Sequence, residues 1–486
     1  MTLQDNKIKN PEKGLPLGED LGGAVLIIGA GLCGSLLALR LAQRGFLVEV
    51  FESRPDLRKV AISAGRSINL ALSDRGLKGL RLCGVEEKAR KLCIPMIGRL
   101  MHDKESNTFS SNYSGREGEY INSISRGDLN ALLLDEAEKH ENVTIHFNHK
   151  CKKVDIENGI AFFINSETNE EFSVTSEVIF GTDGAGSSLR KSYISEPKFL
   201  FSYSQNYLTH GYKELEIPSD STGNHKISKD HLHIWPRGDF MLIALPNLDG
   251  SFTVTLFLSY DEGEYHFNNL TTEEKITAFF EQEFPDALAL IPNIKDEFLN
   301  NPTGPLGTVK CSPWFYKNTL LLGDAAHAIV PFYGQGMNAS FEDVVVLDEI
   351  LNQELESWEV VFKEYQKARK KDTDAIADLA IDNFYEMRDH VANEIFKQKR
   401  KIEMDLEKYF PNQYFSKYSL VTFNEHIGYE EAMKKGRAQD KALLHLIADE
   451  TVQTHQNMTK NELKIILDKV MAETTEILKE DSIAKL

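Results

Sequence analysis

Cysteine is scarce in this 486-residue sequence. The five present, Cys33, Cys83, Cys93, Cys151 and Cys311, are odd in number, scattered and without a Cys-x-x-Cys pair. That pattern argues against a disulfide framework and a zinc site and fits a reducing cytosol. Long apolar runs are missing too: nowhere do about 18 apolar residues follow one another, so nothing spans a bilayer. Met1 to Asp20 is polar and lacks the apolar core of a secretory signal. Positive charge is in deficit, 55 Lys and Arg against 74 Asp and Glu, for a net charge of −19. Nucleic acid and anionic membrane surfaces are therefore poor partners, and an anionic ligand must meet locally placed cations. Internal repeats and low-complexity tracts are absent. What remains is a soluble globular composition, 41% hydrophobic and 27% charged, in a chain long enough for two or three domains.

Residues 1–22 read as a flexible lead. Ala24 to Ile28 reads as a strand, Leu32 to Arg44 as a helix and Leu47 to Phe51 as a second strand, which makes a βαβ unit. Arg126 to His140 reads as a helix, Val143 to Phe147 and Val178 to Phe180 as strands. In the middle, Tyr203 to Tyr212, His231 to Trp235, Phe240 to Leu245 and Phe252 to Ser259 are rich in aromatic and β-branched residues and separated by turn signals. They predict an antiparallel sheet inserted into the first domain. From Ser357 the pattern is helical to the end, with Pro411 as the one breaker and Leu463, Ile466, Leu467 and Val470 on one stripe.

Gly29-Ala30-Gly31-Leu32-Cys33-Gly34 is a G-x-G-x-x-G between a strand and a helix. Alone the pattern is weak. Here Glu52 closes the following strand about 20 residues on, where a ribose acceptor belongs. The glycines allow the tight turn, and the helix N-terminus receives a pyrophosphate. An acidic Glu52 favours an unphosphorylated ribose, as in FAD or NAD. Two more stretches favour FAD. Asp183-Gly184-Ala185-Gly186-Ser187-Ser188-Leu189-Arg190 fits D-G-x-x-S-x-x-R. Gly323-Asp324-Ala325-Ala326-His327, then Pro331 and Gly334-Gln335-Gly336-Met337-Asn338, follows the apolar Leu320 to Leu322. An acid at such a strand end accepts bonds from cofactor hydroxyls. The helix predicted from Asn338 to Leu351 would turn bare N–H groups and positive dipole toward a reduced, anionic flavin.

These three motifs, in this order, resemble the single-component FAD-dependent aromatic hydroxylases. Further stretches narrow the resemblance: Gly65 to Ser73, Tyr120 to Arg126, His231-Leu232-His233-Ile234-Trp235-Pro236-Arg237, and Tyr418 to Phe423. Together they are similar to the kynurenine 3-monooxygenases, from about Ala24 to Phe423. The resemblance implies an α/β fold. A Rossmann-like FAD-binding domain spans 23–195 and 305–356, an antiparallel-sheet substrate domain 196–304, and a C-terminal helical region covering the substrate site 357–486. It implies tightly bound, non-covalent FAD, and NADPH and O2 as co-substrates. L-Kynurenine would be hydroxylated to 3-hydroxykynurenine through a flavin C4a-hydroperoxide, within tryptophan catabolism and NAD biosynthesis. No second G-x-G-x-x-G occurs, in line with the absence of a separate NADPH domain.

Carried over residue by residue, the resemblance places Arg99 on the substrate carboxylate, Tyr113 beside it, and Asn383 and Tyr418 in the same clamp. Phe332 would wall the ring side, or is simply core. On the cofactor side it places Gly29, Gly31, Cys33, Gly34, Phe51, Glu52, Ser53, Arg54, Ala71, Arg126, Cys151, Asp183, Ser188, Asp324, Gly336, Met337 and Asn338. A planar guanidinium holds a carboxylate through two parallel bonds. Without the resemblance, Arg99 reads as a surface ion pair, the tyrosines as half-buried packing and Asn383 as a helix-surface amide. The ring amine already activates the substrate, so no general base and no metal is nominated, and His327 reads as a loop-fixing residue. Gln439 to Leu486 is charged throughout, unlike the apolar C-terminal anchor of some family members, so a cytoplasmic protein without an anchor is expected. A homodimer is compatible with the sequence. Two other readings stay open: an FAD-dependent hydroxylase of another aromatic acid, and a flavin-binding module without turnover.

Overall fold

The computed structural model describes residues 5–7, 24–60, 69–353, 355–387, 394–448 and 458–483. Most of the N-terminal lead and the Gly65 to Ile68 part of one motif lie outside the described residues. The chain divides into two compact units, Met1–Cys93 with Ile124–Leu208 and Leu306–Ala377, and Ile94–Ser123 with Thr209–Pro305 and Asp378–Leu486.

The first unit is built on a six-stranded sheet. Its order is Phe315–Tyr316, Thr319–Leu321, Val178–Gly181, Ala24–Ile28, Leu47–Phe51, Val143–His146. All pairs are parallel except the edge pair of the first two strands. Ala24–Ile28 and Val178–Gly181 are buried along their whole length, as strands covered on both faces must be, and both are accordingly unbroken apolar runs. Register matters most here. Ile28 lies opposite Phe51 and Gly181, and Gly181 lies opposite Leu321. Four strands therefore end level, each just before one of the glycine-rich or acidic motifs. The chain runs from Ala24–Ile28 to one side and later returns on the other, and the crevice at such a reversal is where open α/β sheets take ligands.

Helix Leu32–Gln43 packs against helices Arg126–Ala137 and Gly336–Leu351. Asp348 fastens it there, accepting from Arg40 Nε at 2.6 Å and Arg44 Nη1 at 2.7 Å. A four-stranded sheet completes the unit, in the order Asp5–Lys7, Glu171–Thr175, Ile160–Asn165, His149–Asp155. Asp5–Lys7 thus departs from the flexible lead expected of 1–22: its backbone pairs in parallel with Ser173 to Thr175.

In the second unit, Phe252–Ser259 pairs antiparallel with His210 to Ile217 and with Met241–Pro246, which pairs with His231–Pro236. His231–Pro236 then pairs in parallel with Gly98–His102, and that strand antiparallel with Thr108–Asn112. Residues 94–123, assigned from the sequence to the FAD-binding domain, fall in this second unit, where 98–102 and 108–112 extend its large sheet. The cause is backbone pairing between distant segments, which local patterns do not reveal. Helices Glu273–Glu283, Pro285–Leu288 and Ile294–Asn300 share with the sheet a core containing Trp235, Leu242, Phe279, Phe280 and Phe298. Likewise 378–486 falls in this second unit rather than apart from it. Its helices Glu394–Tyr409, Tyr429–Ala448 and Lys460–Ile483 enclose a core that takes in Leu463, Ile466, Leu467 and Val470, the stripe seen in the sequence. Among the described residues no helix is long and apolar enough to cross a membrane.

Leu467 is 1% exposed and Ile465 58%. Leu467→Ala is expected to destabilise the C-terminal helices by about 2–5 kcal/mol, and Ile465→Ala to stay within about 0.5 kcal/mol of the parent. Thermal unfolding followed by circular dichroism checks both. Equal transitions for the two variants would contradict this packing.

Candidate active site

The level strand ends bring together residues far apart in sequence. Gly29 has φ +100°, and its N–H donates to Phe51 O at 2.8 Å. A Cβ on Gly29 would stand 2.8 Å from Thr182 O, and one on Gly34 2.0 Å from Gly29 O. These two glycines are demanded by close helix–strand packing. Gly31, Gly184 and Gly186 differ: a Cβ there would meet nothing within 4 Å. Gly31 is also the N-cap of helix Leu32–Gln43, which has no side-chain cap and no acid in its first turn. Helix Gly336–Leu351 starts in the same way, uncapped and without an acid. Each helix leaves bare N–H groups and a positive end.

Glu52 is buried. Its Oε2 accepts from Ala30 N and its Oε1 from Arg54 N and Nε, all at 2.8 Å, and Ser53 Oγ adds a bond at 3.2 Å. Burial pushes the Glu52 carboxyl up, but the bonds and charge of Arg54 outweigh it and leave the group below its ordinary range. The Arg54 side chain is 58% exposed, so ligand hydroxyls could replace it on the carboxylate. Asp183 accepts from Ser188 N at 2.6 Å, and Ser188 Oγ donates to Cys151 O at 2.9 Å. Burial raises the Asp183 carboxyl. Asp324 is exposed although its neighbours Gly323 and Ala325 are buried. Arg126, the first residue of its helix, is exposed and makes no ion pair among the described residues.

Several expected cofactor residues have side chains buried or bonded within the protein. The Phe51 ring is core, stacked on Phe163 at 4.3 Å and on His146 at 4.4 Å. Cys33 and Cys151 are buried thiols whose pKa burial raises. Met337 is buried as well. The Asn338 side chain is occupied, donating to Ala71 O and Gly334 O at 2.8 Å each and accepting from Ser73 N at 3.0 Å. It ties the segment bearing Ala71 to the turn before Gly336. A ligand here would meet the N–H groups of Gly336 and Met337 rather than that amide.

The sequence reading missed what anchors this helix end. Glu342 and Asp343 lie in an apolar helix and are both buried. Arg369 meets Asp343 Oδ1 with Nε at 2.8 Å and Glu342 Oε2 with Nη1 at 2.7 Å, and Arg75 meets Glu342 Oε1 at 2.8 Å. Asp343 Oδ2 also accepts from Gly323 N at 3.0 Å and faces His327 Nε2 at 2.6 Å. His327 is thus a loop-fixing residue, as expected. The available signal was an acidic pair inside Phe341-Glu342-Asp343-Val344, since two buried carboxylates demand cations.

In the second unit, Arg99, Tyr113 and Tyr418 come together from a strand, the turn after the next strand and the helix Lys417–Thr422. The Arg99 guanidinium carbon stands 4.9 Å from the Tyr418 ring centre and 5.5 Å from that of Tyr113. The two rings are stacked at 5.3 Å. Burial raises both phenols, and the Arg99 charge opposes the rise. Neutral O–H donors beside a fixed guanidinium suit a carboxylate. Asn383 is buried on helix Trp358–Tyr385, its Nδ2 3.3 Å from Met387 Sδ. Phe332 belongs to the first unit and is 7% exposed.

An open glycine cradle facing an uncapped helix, with acids at the strand ends, fits a dinucleotide and defines an FAD-binding class of doubly wound protein. The FAD-binding domain family matches residues 23–380. A kynurenine 3-monooxygenase of Myxococcus xanthus is 46% identical over 417 residues, 86% of this chain and 89% of its own length. One of Dictyostelium discoideum is 43% identical over 440 residues, 88% and 94% of the two chains. Among solved structures, 2-methyl-3-hydroxypyridine-5-carboxylic acid oxygenase aligns with a TM-score of 0.62 at 18% identity, over 76% of this chain and 94% of that one. p-Nitrophenol 4-monooxygenase of Pseudomonas putida aligns at 0.61 and 18%, over 80% and 94%. At those identities the structures speak for the fold alone. The chain belongs to the kynurenine 3-monooxygenase family of FAD-dependent monooxygenases.

Asp324→Ala is expected to yield a folded protein without flavin, because Asp324 is exposed and lends little to packing; retained yellow colour after purification would contradict its role. Asp343→Asn leaves Arg369 short of a charge and is expected to cost about 3–5 kcal/mol, read as a fall in the thermal midpoint. For Asp343, burial raises the carboxyl, but His327 and Arg369 together hold it below its ordinary value. Its contribution is therefore present above the unfolded value of about 3.9. It is lost as pH falls through the lowered native value, and the Asn variant should lack that acid-side loss.

Proposed function

We propose that this protein is an NADPH- and O2-dependent monooxygenase that hydroxylates L-kynurenine to 3-hydroxykynurenine, with FAD as its resident cofactor. The observation that carries the reading is the meeting of Arg99, Tyr113 and Tyr418 in a chain of this family. When bound, FAD supplies the redox chemistry, taking electrons from NADPH and activating O2. The chain's own residues bind, orient and exclude water. Gly31 and the first turn of Leu32–Gln43 would hold the pyrophosphate of FAD, Glu52 its ribose, and the N–H groups of Gly336 and Met337 would face its ring. Arg99 grips the substrate carboxylate while Tyr113 and Tyr418 flank it, and Asn383 completes the clamp. Fixing the amino-acid end fixes the ring that must react. Exclusion of water would favour transfer of oxygen to the substrate over its release as H2O2. Five free cysteines support our placing of the enzyme in a reducing cytoplasm, and we keep a homodimer as an assembly to test.

The purified yellow protein should oxidise NADPH much faster with L-kynurenine than without it. It should yield a product one oxygen atom heavier, with little turnover of other aromatic acids. Equal stimulation by a phenolic acid would favour the neighbouring reading, a hydroxylase of another aromatic acid. Bound FAD with no stimulation by any substrate would leave only a flavin-binding module. Arg99→Ala is expected to keep its FAD and raise KM about 10- to 100-fold, the worth of a charge-assisted bond pair. An unchanged KM would remove Arg99 from the site.

A further inference from the structure

The motif His231 to Arg237 supplies one member, His233, of a buried polar chain in the second unit. His102 Nδ1 lies 2.9 Å from Asp286 Oδ2, and His102 Nε2 lies 2.8 Å from His233 Nδ1. His233 Nε2 lies 2.7 Å from Ser228 O. Both rings are buried, His233 completely. The two ends of this chain, a carboxylate and a backbone carbonyl, can only accept. Three bonds therefore need three protons, whereas two neutral imidazoles carry two. The cluster holds one proton more, and Asp286 balances its charge.

The surroundings say where that proton rests. Burial pushes His233 down to about 4, so His233 is neutral and the additional proton lies on the His102 side. There the Trp235 ring stacks on His102 at 4.1 Å and 19°, a face that favours a cation. Trp235 Nε1 donates to the same Asp286 oxygen at 2.8 Å. The other charges nearby are Arg237 and Glu283, Lys104 bonded to Glu283 at 2.6 Å, His231, Asp103 and Glu105. The neighbouring strands Thr108–Asn112 and Met241–Pro246 carry no ionisable side chain.

The chain clips together the strand that carries Arg99 and the strand beside it. His102 ends Gly98–His102, and Arg99 lies opposite Leu232, one residue before His233. Arg237 reinforces the same end, donating to His102 O at 3.0 Å and Asp103 O at 3.2 Å. Resting on the kynurenine reading above, we infer that His102, His233 and Asp286 form a proton-holding clip that sets the Arg99 strand and positions the guanidinium for the substrate carboxylate. Removal of the additional proton breaks one of the three bonds and loosens that strand.

The test uses holoenzyme with isotopically labelled histidine, together with His102→Gln and Asp286→Asn. Nitrogen shifts should show one doubly protonated buried imidazole at neutral pH, absent from His102→Gln. KM for L-kynurenine should rise with increasing pH, with kcat and FAD content steady. His102→Gln should have KM raised about 2- to 10-fold, the worth of one hydrogen bond, and flat with pH. Asp286→Asn should move the rise to lower pH. Two neutral imidazoles at neutral pH, or an unaltered KM profile in both variants, would overturn the proposal. The proton count is read without substrate, so it stands or falls separately from the identity of the substrate.

Discussion

The level ending of four parallel strands is the constraint on which the rest depends. Ile28, Phe51, Gly181 and Leu321 lie side by side in register, so whatever follows each of them is delivered to one edge of the sheet. A one-residue slip in any pair would turn that strand's side chains to the opposite face and carry Glu52, Asp183 or Asp324 away from the crevice. Backbone bonds just past the strand ends hold the register: Gly29 N–H donates to Phe51 O, Thr182 N–H to Ile28 O and Leu322 N–H to Gly181 O.

Rigid support is then built from polar groups bonded within the protein. Asn338 satisfies all its bonds within the protein and thereby holds the turn that exposes the next helix end. Asp343 holds Gly323 in place through its backbone N–H while meeting Arg369 and His327. Removing two such charges together would be far less costly than removing one, since the penalty lies in the unpaired partner. The second unit uses the same economy. Its Arg99 is flanked by aromatic faces, and the strand that carries it ends on His102, in hydrogen-bond contact with Asp286 and His233.

Local sequence made much of this visible. The strands Ala24–Ile28, Leu47–Phe51 and Phe252–Ser259 match the reading residue for residue, because short apolar or aromatic runs bounded by turn residues leave few alternatives. Gly29, Gly34 and Glu52 were legible because their spacing is a consequence of one strand, one turn and one helix. What escaped were contacts between distant segments. Gly98–His102 joins the antiparallel sheet only through His231–Pro236, the sheet of residues 149–175 went unread, and Arg369 meets Asp343 from another helix. Asn338 was legible as a position, because its helix start was clear, whereas its side-chain partners Ala71 and Ser73 lie far back in the chain.

A carboxylate held by a fixed guanidinium between two tyrosines is the centre of the account. Its most direct test is the affinity of the oxidised holoenzyme for L-kynurenine and for the same molecule with its carboxylate removed, read from perturbation of the flavin absorbance. The account requires L-kynurenine to bind at least about tenfold more tightly than the decarboxylated amine, the equivalent of about 1.4 kcal/mol. Equal affinity for the two would contradict it.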